Sequence, residues 1–408
     1  MKDNKIIILH TFQDGLIFSA VADSYDALPD VENLYLFYAP DRDHKMQNLK
    51  DARVKIINNF KEYTSYFSNP EIDVILFYSL PYHYYYLFDY IDDRKFVIWW
   101  AWGYDIYYKQ GKFPPLIPLD EMYMPLTKQY MLNHQKTSLS DKIHYAIPKI
   151  KYPLKWIIRN VFGVAINLPQ KSQKEIIARI DAFYAPLDIE YDLMKDSQPT
   201  FRAIRNPRMH RKKDYELVLK TVPGNVLINH SLTYTDNHLD VFEYLRDVKI
   251  DMERKYILPV SYGLDGFNEN PENLINVSCL NESQTIWLTK VLSLEEYNKV
   301  MDSSTHAIYG TLRQQALGNI LRCFLKGIKV FMFEKSILYK DLKKKGYKIF
   351  TIEKDLTSES LSTCLSESEA MHNFDLYAKR FSQSTILQYR DYLEEQVTSK
   401  KKSNVIHN

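Results

Sequence analysis

Residues 305–333 read in order as an apolar run, a polar turn, an amphipathic helix and a second apolar run. Residues 307–309 predict a short buried strand that ends at Gly310, and apolar side chains then recur with helical spacing between 316 and 326. Gly327 marks the end of that helix, and residues 330–333 predict the next strand. A strand, a helix and a strand in this order predict the right-handed crossover of a parallel sheet. This part of the chain is therefore constrained to a parallel α/β fold.

The loop between the first strand and the helix carries Arg313, Gln314 and Gln315. Ligands of parallel α/β sheets bind beyond the carboxyl ends of the strands, and the free N–H groups of a helix N-terminus favour an anion. One guanidinium and two amides at such a place predict a seat for a diphosphate. An ordinary solvated loop with a surface arginine fits the same residues.

The same alternation of strand and helix signals runs through both halves of the 408-residue chain. A chain of this length holds two domains of roughly 150–200 residues each. We place one Rossmann-like domain at residues 1–205, a second at 206–373, and a C-terminal helix with a polar tail at 374–408. Strands are predicted at residues 5–10, 34–38, 54–57, 74–77, 96–100, 181–184, 226–229, 256–259, 285–288, 307–309, 330–333 and 348–351.

Composition excludes several classes of function. The formal net charge is only +2, so no global field attracts nucleic acid, and we expect no nucleic-acid partner. Three cysteines lie far apart, without metal-ligand spacing or a disulfide framework, which indicates a reducing cytoplasm. Neither half contains a G-x-G-x-x-G or a P-loop, which argues against classical dinucleotide or ATP binding.

One pattern resembles a metal site. Asp41 and Asp43 form a D-x-D after the second predicted strand, and we interpret it as a solvated turn. No other His, Cys or Asp cluster has ligand spacing, so we expect neither an obligatory metal nor a cofactor.

A tryptophan-rich motif stands at the carboxyl end of the fifth predicted strand. Its pattern is W-x-x-W-G-x-D-x-Y, formed by Trp99, Trp102, Gly103, Asp105 and Tyr107. In the first of two Rossmann-like domains, this motif resembles the TDP-N-acetylfucosamine:lipid II N-acetylfucosaminyltransferase family, the 4-α-L-fucosyltransferases of glycosyltransferase family 56.

The resemblance recurs in the second half. The residues from Arg313 to Gln315 are similar to the family's R-Q-Q-G-x-G loop, with Gly318 at the second glycine and Ala316 in place of the first. Further matches are Ser231 and His238 at a loop and helix start, and Pro259 and Tyr262 in a P-x-x-Y. Asn229, His230 and Leu232 depart from the family pattern. These departures imply a nucleotide pocket of different shape and leave the identity of the donor sugar open.

The resemblance implies an α/β protein of GT-B architecture, in which the parallel sheets of two Rossmann-like domains face a central cleft. The first domain would bind the acceptor and the second the nucleotide sugar. The implied reaction moves a deoxyamino sugar such as N-acetylfucosamine from a dTDP- or UDP-linked donor to a polyprenyl-diphosphate-linked saccharide. Such transfer serves bacterial surface polysaccharides such as lipopolysaccharide O-antigen, capsule or an enterobacterial-common-antigen-like polymer. Alternatives are a sugar-nucleotide epimerase or a pyruvyl transferase on the same fold, and a non-catalytic saccharide-binding protein.

Candidate site residues follow from position and from the resemblance. Asp105, at a strand end, is the candidate base for the acceptor hydroxyl, with Asp14 the second candidate. Glu334 ends a predicted strand, where an acid can bind a ribose, although a surface ion pair fits equally. Acceptor binding is predicted for His10, Trp102 and Tyr104, and nucleotide-sugar binding for Ser231, His238, Tyr262, Arg313, Gln314, Gln315, Asn319 and Glu334.

Residues 149–162 combine basic, aromatic and apolar side chains. Such a segment can lie on an anionic membrane surface, and an amphipathic helix packed on its own domain gives the same pattern. We expect a cytoplasmic protein that is peripheral on the inner face of the bacterial inner membrane. The expected membrane contacts are Lys151, Lys155, Trp156, Arg159 and Phe162.

Overall fold

The computed structural model describes residues 5–12, 18–39, 51–110, 113–134, 171–207, 216–263, 267, 270–382 and 386–406. The chain divides into two compact units, and each is built from separated segments. The first unit takes Met1–Pro118, Leu139–Lys212 and Ser382–Asn408; the second takes Leu119–Ser138 and Lys213–Phe381. Compared with the domains proposed from the sequence, residues 119–138 lie in the second unit, and the end of the chain lies in the first.

The described secondary structure alternates between strands and helices. The strands are β1 (Ile6–Thr11), β2 (Val31–Tyr38), β3 (Val54–Ile57), β4 (Val74–Phe77), β5 (Phe96–Trp100), β6 (Ala182–Tyr184), β7 (Ile204–Arg205), β8 (Asn225–Ile228), β9 (Tyr256–Pro259), β10 (Thr285–Leu288), β11 (Ser304–Tyr309), β12 (Lys329–Met332) and β13 (Phe350–Thr351). The helices are α1 (Phe18–Asp26), α2 (Phe60–Ser68), α3 (Tyr104–Tyr107), α4 (Pro125–His134), α5 (Gln173–Ala178), α6 (Asp188–Ser197), α7 (His238–Leu245), α8 (Pro271–Ile275), α9 (Leu294–Ser303), α10 (Leu317–Leu325), α11 (Ile337–Lys344), α12 (Ile352–Asp355), α13 (Ser358–Leu361), α14 (Glu367–Ser382) and α15 (Ile386–Ile406).

The first unit is built on a parallel sheet in the order β3-β2-β1-β4-β5-β6-β7. All four residues of β4 are buried, as expected for a continuous apolar run in the middle of a parallel sheet. The core of this unit includes Tyr389, Leu393 and Val397 of α15. These residues are spaced by four and lie on one helical face, so α15 is an integral part of the first unit.

The second unit is built on a parallel sheet in the order β10-β9-β8-β11-β12-β13. Its strand order reverses between β8 and β11, which is the place where ligands bind in such sheets. Helix α4 belongs to this unit because the Asp240 carboxylate accepts hydrogen bonds from the backbone N–H groups of Leu126 and Thr127, each at 2.9 Å. A carboxylate at a helix N-terminus pairs otherwise unsatisfied donors and complements the helix dipole.

The C-terminal region corrects one sequence prediction. A single helix with a polar tail was expected at 374–408, whereas the described structure has two helices there, α14 and α15, and α15 continues to Ile406. The end of α15 is anchored by an ion pair of 2.7 Å from Lys400 to Asp181 and by a second from Lys401 to Asp73. These ion pairs give the polar end of the helix a fixed position that its composition alone does not indicate. Among the helices of the described ranges, none is both long and apolar enough to cross a membrane.

Candidate functional site

The polar loops that follow β8 and β11 meet at the carboxyl edge of the second sheet. Gly310 forms the contact: its N–H donates to Asn229 Oδ1 and its carbonyl accepts from Asn237 Nδ2, both at 2.8 Å. A Cβ on Gly310 would lie 2.2 Å from the carbonyl oxygen of Asp236, so only glycine fits. Asn229 and Asn237 adopt φ angles of 57° and 50°, a region that asparagine tolerates better than most residues. The two loops are therefore held in one fixed register.

Gln315 joins the two loops through its side-chain amide. Its Oε1 accepts a hydrogen bond of 2.8 Å from the Thr235 hydroxyl, and its Nε2 donates to Thr233 Oγ1 at 3.0 Å. The same nitrogen lies 3.3 Å from Asp236 Oδ1 and 3.3 Å from His230 Nε2. Gln315 thus reaches into the loop after β8, and its side-chain amide is hydrogen-bonded to buried hydroxyl and carboxylate groups of that loop.

Asp236 is the charged centre of this network, and its carboxylate is fully buried. The Ser231 hydroxyl donates to Oδ2, and His230 Nδ1 lies 3.1 Å from Oδ1. Burial alone would raise the pKa of Asp236, but its interactions with His230 and Ser231 outweigh burial and lower that pKa overall. A buried carboxylate is tolerated only where such partners surround it, so Asp236 anchors the loop.

His238 begins α7 and is fully buried. Neither of its ring nitrogens has a hydrogen-bond partner among the described residues. Burial lowers the pKa of His238 to about 4, so the ring is neutral near pH 7. A buried polar group without partners costs about 1–3 kcal/mol.

The N-terminus of α10 forms the open side of the site. Helix geometry leaves the backbone N–H groups of Leu317, Gly318 and Asn319 without partners inside the helix. Gly318 is exposed, and a Cβ built on it would meet nothing within 4 Å. The preceding residue, Ala316, has a φ of 58°. Donor groups that face open space at a helix start form a place where an anion can bind.

Arg313 and Gln314 lie just before this helix. Arg313 is nearly buried, and one of its guanidinium N–H groups donates to the Gln314 carbonyl at 2.8 Å. The Arg313 carbonyl in turn accepts from the Thr311 hydroxyl at 2.9 Å. Gln314 and Asn319 are half-buried. The predicted loop residues therefore do gather at one place, with Gln315 directed inward to the network and Gly318 outward.

Two further predicted donor-site residues follow β9 and β12, the strands on either side of the β8–β11 pair. Tyr262 follows β9, is 49% exposed, and packs against the His230 ring with 5.7 Å between ring centroids. Glu334 follows β12, is exposed, and forms an ion pair of 2.7 Å with Lys354. The ribose role of Glu334 stays a prediction, and the surface ion pair considered as its alternative is present with Lys354.

Asp105 of the tryptophan motif is fully buried in the first unit. Its carboxylate accepts hydrogen bonds from the backbone N–H groups of Leu80 and Trp102 and from the Trp99 indole, at 2.8–2.9 Å. Burial raises the pKa of Asp105, and the three hydrogen bonds oppose that rise. Gly103, with a φ of 84°, is the N-cap residue of the short helix α3 that carries Asp105. This geometry favours an anchor for the loop, and the role of general base stays a prediction.

His10 is also fully buried, and both ring nitrogens are engaged. Nδ1 lies 3.0 Å from the Tyr78 hydroxyl and Nε2 lies 2.9 Å from Asn33 Oδ1. Burial lowers the pKa of His10 to about 4. These contacts favour a core histidine over an acceptor-binding one. Trp102 and Tyr104 are half-buried at the carboxyl edge of the first sheet and keep partial access to solvent.

The remaining predictions fall outside the described residues. These are Asp14, the D-x-D of Asp41 and Asp43, and the membrane contacts Lys151, Lys155, Trp156, Arg159 and Phe162. Within the described ranges, no group of three or more His, Cys, Asp or Glu side chains is placed to hold a metal ion.

The sequence analysis missed the centre of the network. Thr233, Thr235 and Asp236 were not predicted as site residues, and His230 was noted only as a departure from a family pattern. A signal was present, because seven hydroxyl, carboxamide or carboxylate residues follow the buried strand β8 within nine positions. Polar residues directly after a central parallel strand indicate the ligand edge of a sheet.

Comparison with known proteins identifies the architecture. No protein-family model and no curated protein sequence matches this chain. Among solved structures, the sucrose-phosphate synthase from Thermosynechococcus elongatus matches with a TM-score of 0.54, 8% identity and coverage of 99% of this chain and 100% of that one. The lipopolysaccharide outer core galactosyltransferase WaaB, in its apo form, matches with a TM-score of 0.51, 10% identity and coverage of 97% and 99%. Anabaena HepE, in complex with UDP and glucose, matches with a TM-score of 0.50, 9% identity and coverage of 97% and 100%.

These similarities extend over nearly the whole length of each chain. Together with the two parallel sheets, they give this protein the GT-B fold. At identities of 8–10%, the structural matches show the fold alone, and substrate and reaction have to be argued from the site.

Proposed function

We propose that this protein is a glycosyltransferase that takes its sugar from a nucleoside-diphosphate donor. The fold supports this proposal, because a structure of the same fold is a galactosyltransferase and another is a complex with UDP and glucose. The proposal places the diphosphate of the donor at the N-terminus of α10.

The observation that carries the proposal is the open start of α10 beside the network of Gln315 and Asp236. The free N–H groups of Leu317, Gly318 and Asn319 provide donors for phosphate oxygens, and the helix dipole adds positive potential there. Gln315 and Asp236 keep the two loops in register, so those donors are positioned before any ligand arrives. Donors that are already in place can stabilise the negative charge on a leaving group without a rearrangement of the protein during the reaction.

The chemistry of transfer requires such a seat. When the bond between the anomeric carbon and the diphosphate oxygen breaks, positive charge develops on the sugar ring and negative charge on the leaving diphosphate. The N-terminus of α10 would stabilise that negative charge, and Arg313 would add a guanidinium to the same loop. Tyr262, half-exposed at the end of β9, would provide an aromatic surface next to the donor.

The resemblance to the N-acetylfucosaminyltransferase family extends the proposal to the substrates. The donor would be a dTDP- or UDP-linked deoxyamino sugar, and the acceptor a polyprenyl-diphosphate-linked saccharide of a bacterial surface polysaccharide. The first unit would bind the acceptor, with Trp102 and Tyr104 as its accessible aromatic side chains. Residues 149–162 would contact the inner membrane, and the reaction would proceed without a metal.

Calorimetric titration with UDP, dTDP, GDP and CMP tests the donor site. We expect UDP or dTDP to bind the wild-type protein, and Gly318→Asp to abolish that binding because it places a carboxylate at the phosphate seat. Gly318→Asn is the matched control, since it adds a side chain of equal size without charge. Equal affinity in the two variants, or no binding of any nucleoside diphosphate to the wild type, would remove the basis of the proposal.

Product analysis separates transfer from the alternatives. A transferase releases nucleoside diphosphate in proportion to the lipid-linked acceptor that is consumed. An epimerase leaves the nucleotide sugar intact and changes its stereochemistry, and a pyruvyl transferase consumes no nucleotide sugar. A saccharide-binding protein turns over neither substrate.

A further inference from the structure

A polar cavity lies at the amino edge of the second sheet, opposite to the carboxyl edge that carries the proposed nucleotide site. Helix α11 runs from the carboxyl end of β12 to the amino end of β13, and both strands are parallel to β8 and β11. The end of α11 therefore lies at the amino edge of the sheet, away from the loops that follow β8 and β11. What binds there is independent of the proposed nucleotide site.

The segment that leaves α11 is rich in lysine. Two of its lysines are neutralised, because Lys345 pairs with Asp341 at 2.6 Å and Lys348 pairs with Glu369 at 3.1 Å. Lys343 and Lys344 are exposed, and no ion pair joins either of them to a carboxylate of the described residues. Lysines in the last turn of a helix complement the negative end of the helix dipole, which accounts for basic residues at this position. The dipole does not account for the cavity that lies beside them.

The cavity beside these lysines has a volume of about 460 Å³. Ligand sites of small molecules span roughly 300–1,000 Å³, so this cavity is large enough for a phosphorylated group. The cavity is lined by Lys343, Gly346, Tyr347, Lys348, Ser368, Glu369 and His372.

The lining groups have the chemistry of a phosphate site. Of the two ammonium groups in the lining, Lys348 is paired with Glu369 and Lys343 carries the unpaired charge, and the Ser368 hydroxyl can donate a hydrogen bond. His372 donates from Nε2 to the Gly346 carbonyl at 2.8 Å, which fixes the orientation of its ring at the cavity. Glu369 is the one carboxylate in the lining, and it is engaged by Lys348 and by the Ser366 N–H at 3.1 Å each. The unneutralised charge that faces an incoming ligand is therefore positive.

We propose that this cavity binds a phosphate group through Lys343, Lys348 and Ser368. Lysine suits a phosphate group because its ammonium is a compact charge that can bind without the planar, two-pronged geometry of an arginine guanidinium. The phosphate group comes either from a soluble phosphorylated molecule or from the headgroup of an anionic lipid.

The test removes Lys343, which lines the cavity, together with its exposed neighbour Lys344. Neither lysine has an ion-pair partner among the described residues. The parent in this experiment is the full-length protein with Gly318→Asp, in which the phosphate seat at the N-terminus of α10 does not contribute. This parent is compared with the same protein carrying Lys343→Gln and Lys344→Gln in addition. The matched control is Lys299→Gln/Lys335→Gln, which removes two exposed lysines of the same unit that pair with Glu295 and Glu121. One arm titrates inorganic pyrophosphate by calorimetry. The other floats the protein with vesicles of phosphatidylcholine, alone or mixed with phosphatidic acid.

We expect the Lys343/Lys344 variant to lose affinity by at least about five-fold, the effect of the one lysine that lines the cavity, and the control variant to keep its affinity. A loss confined to pyrophosphate identifies a soluble ligand. A loss confined to vesicles with phosphatidic acid identifies a lipid headgroup. If neither arm separates the two variants, or if neither probe binds the parent protein, the cavity is not a phosphate site.

Discussion

The hydroxyl oxygens of Tyr25 and Tyr389 lie 3.0 Å apart, although 364 positions separate the two residues in the sequence. Both rings are fully buried in the first unit. The amide of Asn206 donates to the same Tyr389 hydroxyl at 3.2 Å. Helix α15 is thus joined to α1 and to the end of β7 by a buried polar contact within an aromatic core.

Tyr389→Phe should destabilise the first unit by about 1–3 kcal/mol, because it leaves the Tyr25 hydroxyl and the Asn206 amide buried with fewer partners. Urea unfolding monitored by tyrosine and tryptophan fluorescence measures the change. Tyr392→Phe on the same helix is the control, since the Tyr392 hydroxyl is buried without a hydrogen-bond partner in the described part of the chain. Its removal should be neutral or stabilising, and equal losses in both variants would contradict the role of the Tyr25 contact.

Gly310→Ala and Gly318→Ala should have opposite effects on stability. The methyl group at position 310 would meet the Asp236 carbonyl, and forcing the loops apart costs about 1–3 kcal/mol or more. At position 318 the methyl group meets nothing, and alanine should stabilise α10 by about 0.4–1 kcal/mol. Thermal unfolding distinguishes the two. A tolerated alanine at 310 would show that the close approach of the two loops is not required.

Arg313→Ala should weaken nucleoside-diphosphate binding by about 1.5–3 kcal/mol, the range for hydrogen bonds to charged groups. Arg313 is nearly buried, so its loss can also loosen the loop. Calorimetric affinity and the midpoint of unfolding are therefore measured on the same samples. Arg313→Lys retains charge without the planar fork and should recover only part of the affinity. Unchanged affinity in Arg313→Ala would exclude a phosphate contact.

Protonation of His238 should make the second unit less stable in acid. Its pKa is about 4 in the folded chain and 6.5 without the fold, so between these values the unfolded chain binds more protons. The contribution of His238 is fully present above pH 6.5 and is lost as the pH falls towards 4. The loss amounts to up to about 3 kcal/mol across that window.

His238→Leu tests this assignment. It removes two buried nitrogens without partners and should flatten the decline in unfolding free energy between pH 6.5 and pH 4, measured by urea titration at each pH. His10 and His306 also have pKa values lowered to about 4, so part of the decline remains. An unchanged pH profile would mean that His238 does not titrate with unfolding. Nucleotide affinity of the same variant shows whether the ring also contacts the donor.

The sequence predicts the strands well because they are continuous apolar runs. The strands at 54–57, 74–77, 96–100, 256–259 and 285–288 are confirmed at both ends. Their boundaries are set locally by polar or turn-forming neighbours, and the order of strands and helices then implies two parallel sheets. The glycine expected to end α10 is likewise confirmed, because Gly327 adopts a φ of 60°.

The internal contacts of the site could not be predicted, because they depend on distant parts of the chain. Gln315 meets Thr235 across 80 positions, and the pairing of β8 with β11 brings them together. The motif identified Asp105 as a candidate site residue. Its carboxylate is stabilised in the core by a hydrogen bond from the backbone N–H of Leu80, 25 positions away, which the motif does not show. Residue type indicates what a side chain can do, while burial and partners decide which of those roles it takes.

The interleaved segments of the two units have a consequence for synthesis on the ribosome. All segments of the second unit, including α4, precede α15, whereas the core of the first unit includes Tyr389, Leu393 and Val397 of α15. The unit that begins at the N-terminus is thus the later of the two to obtain its full core. Until α15 emerges, the apolar residues that it covers around Tyr25 lack this cover and stay exposed to water.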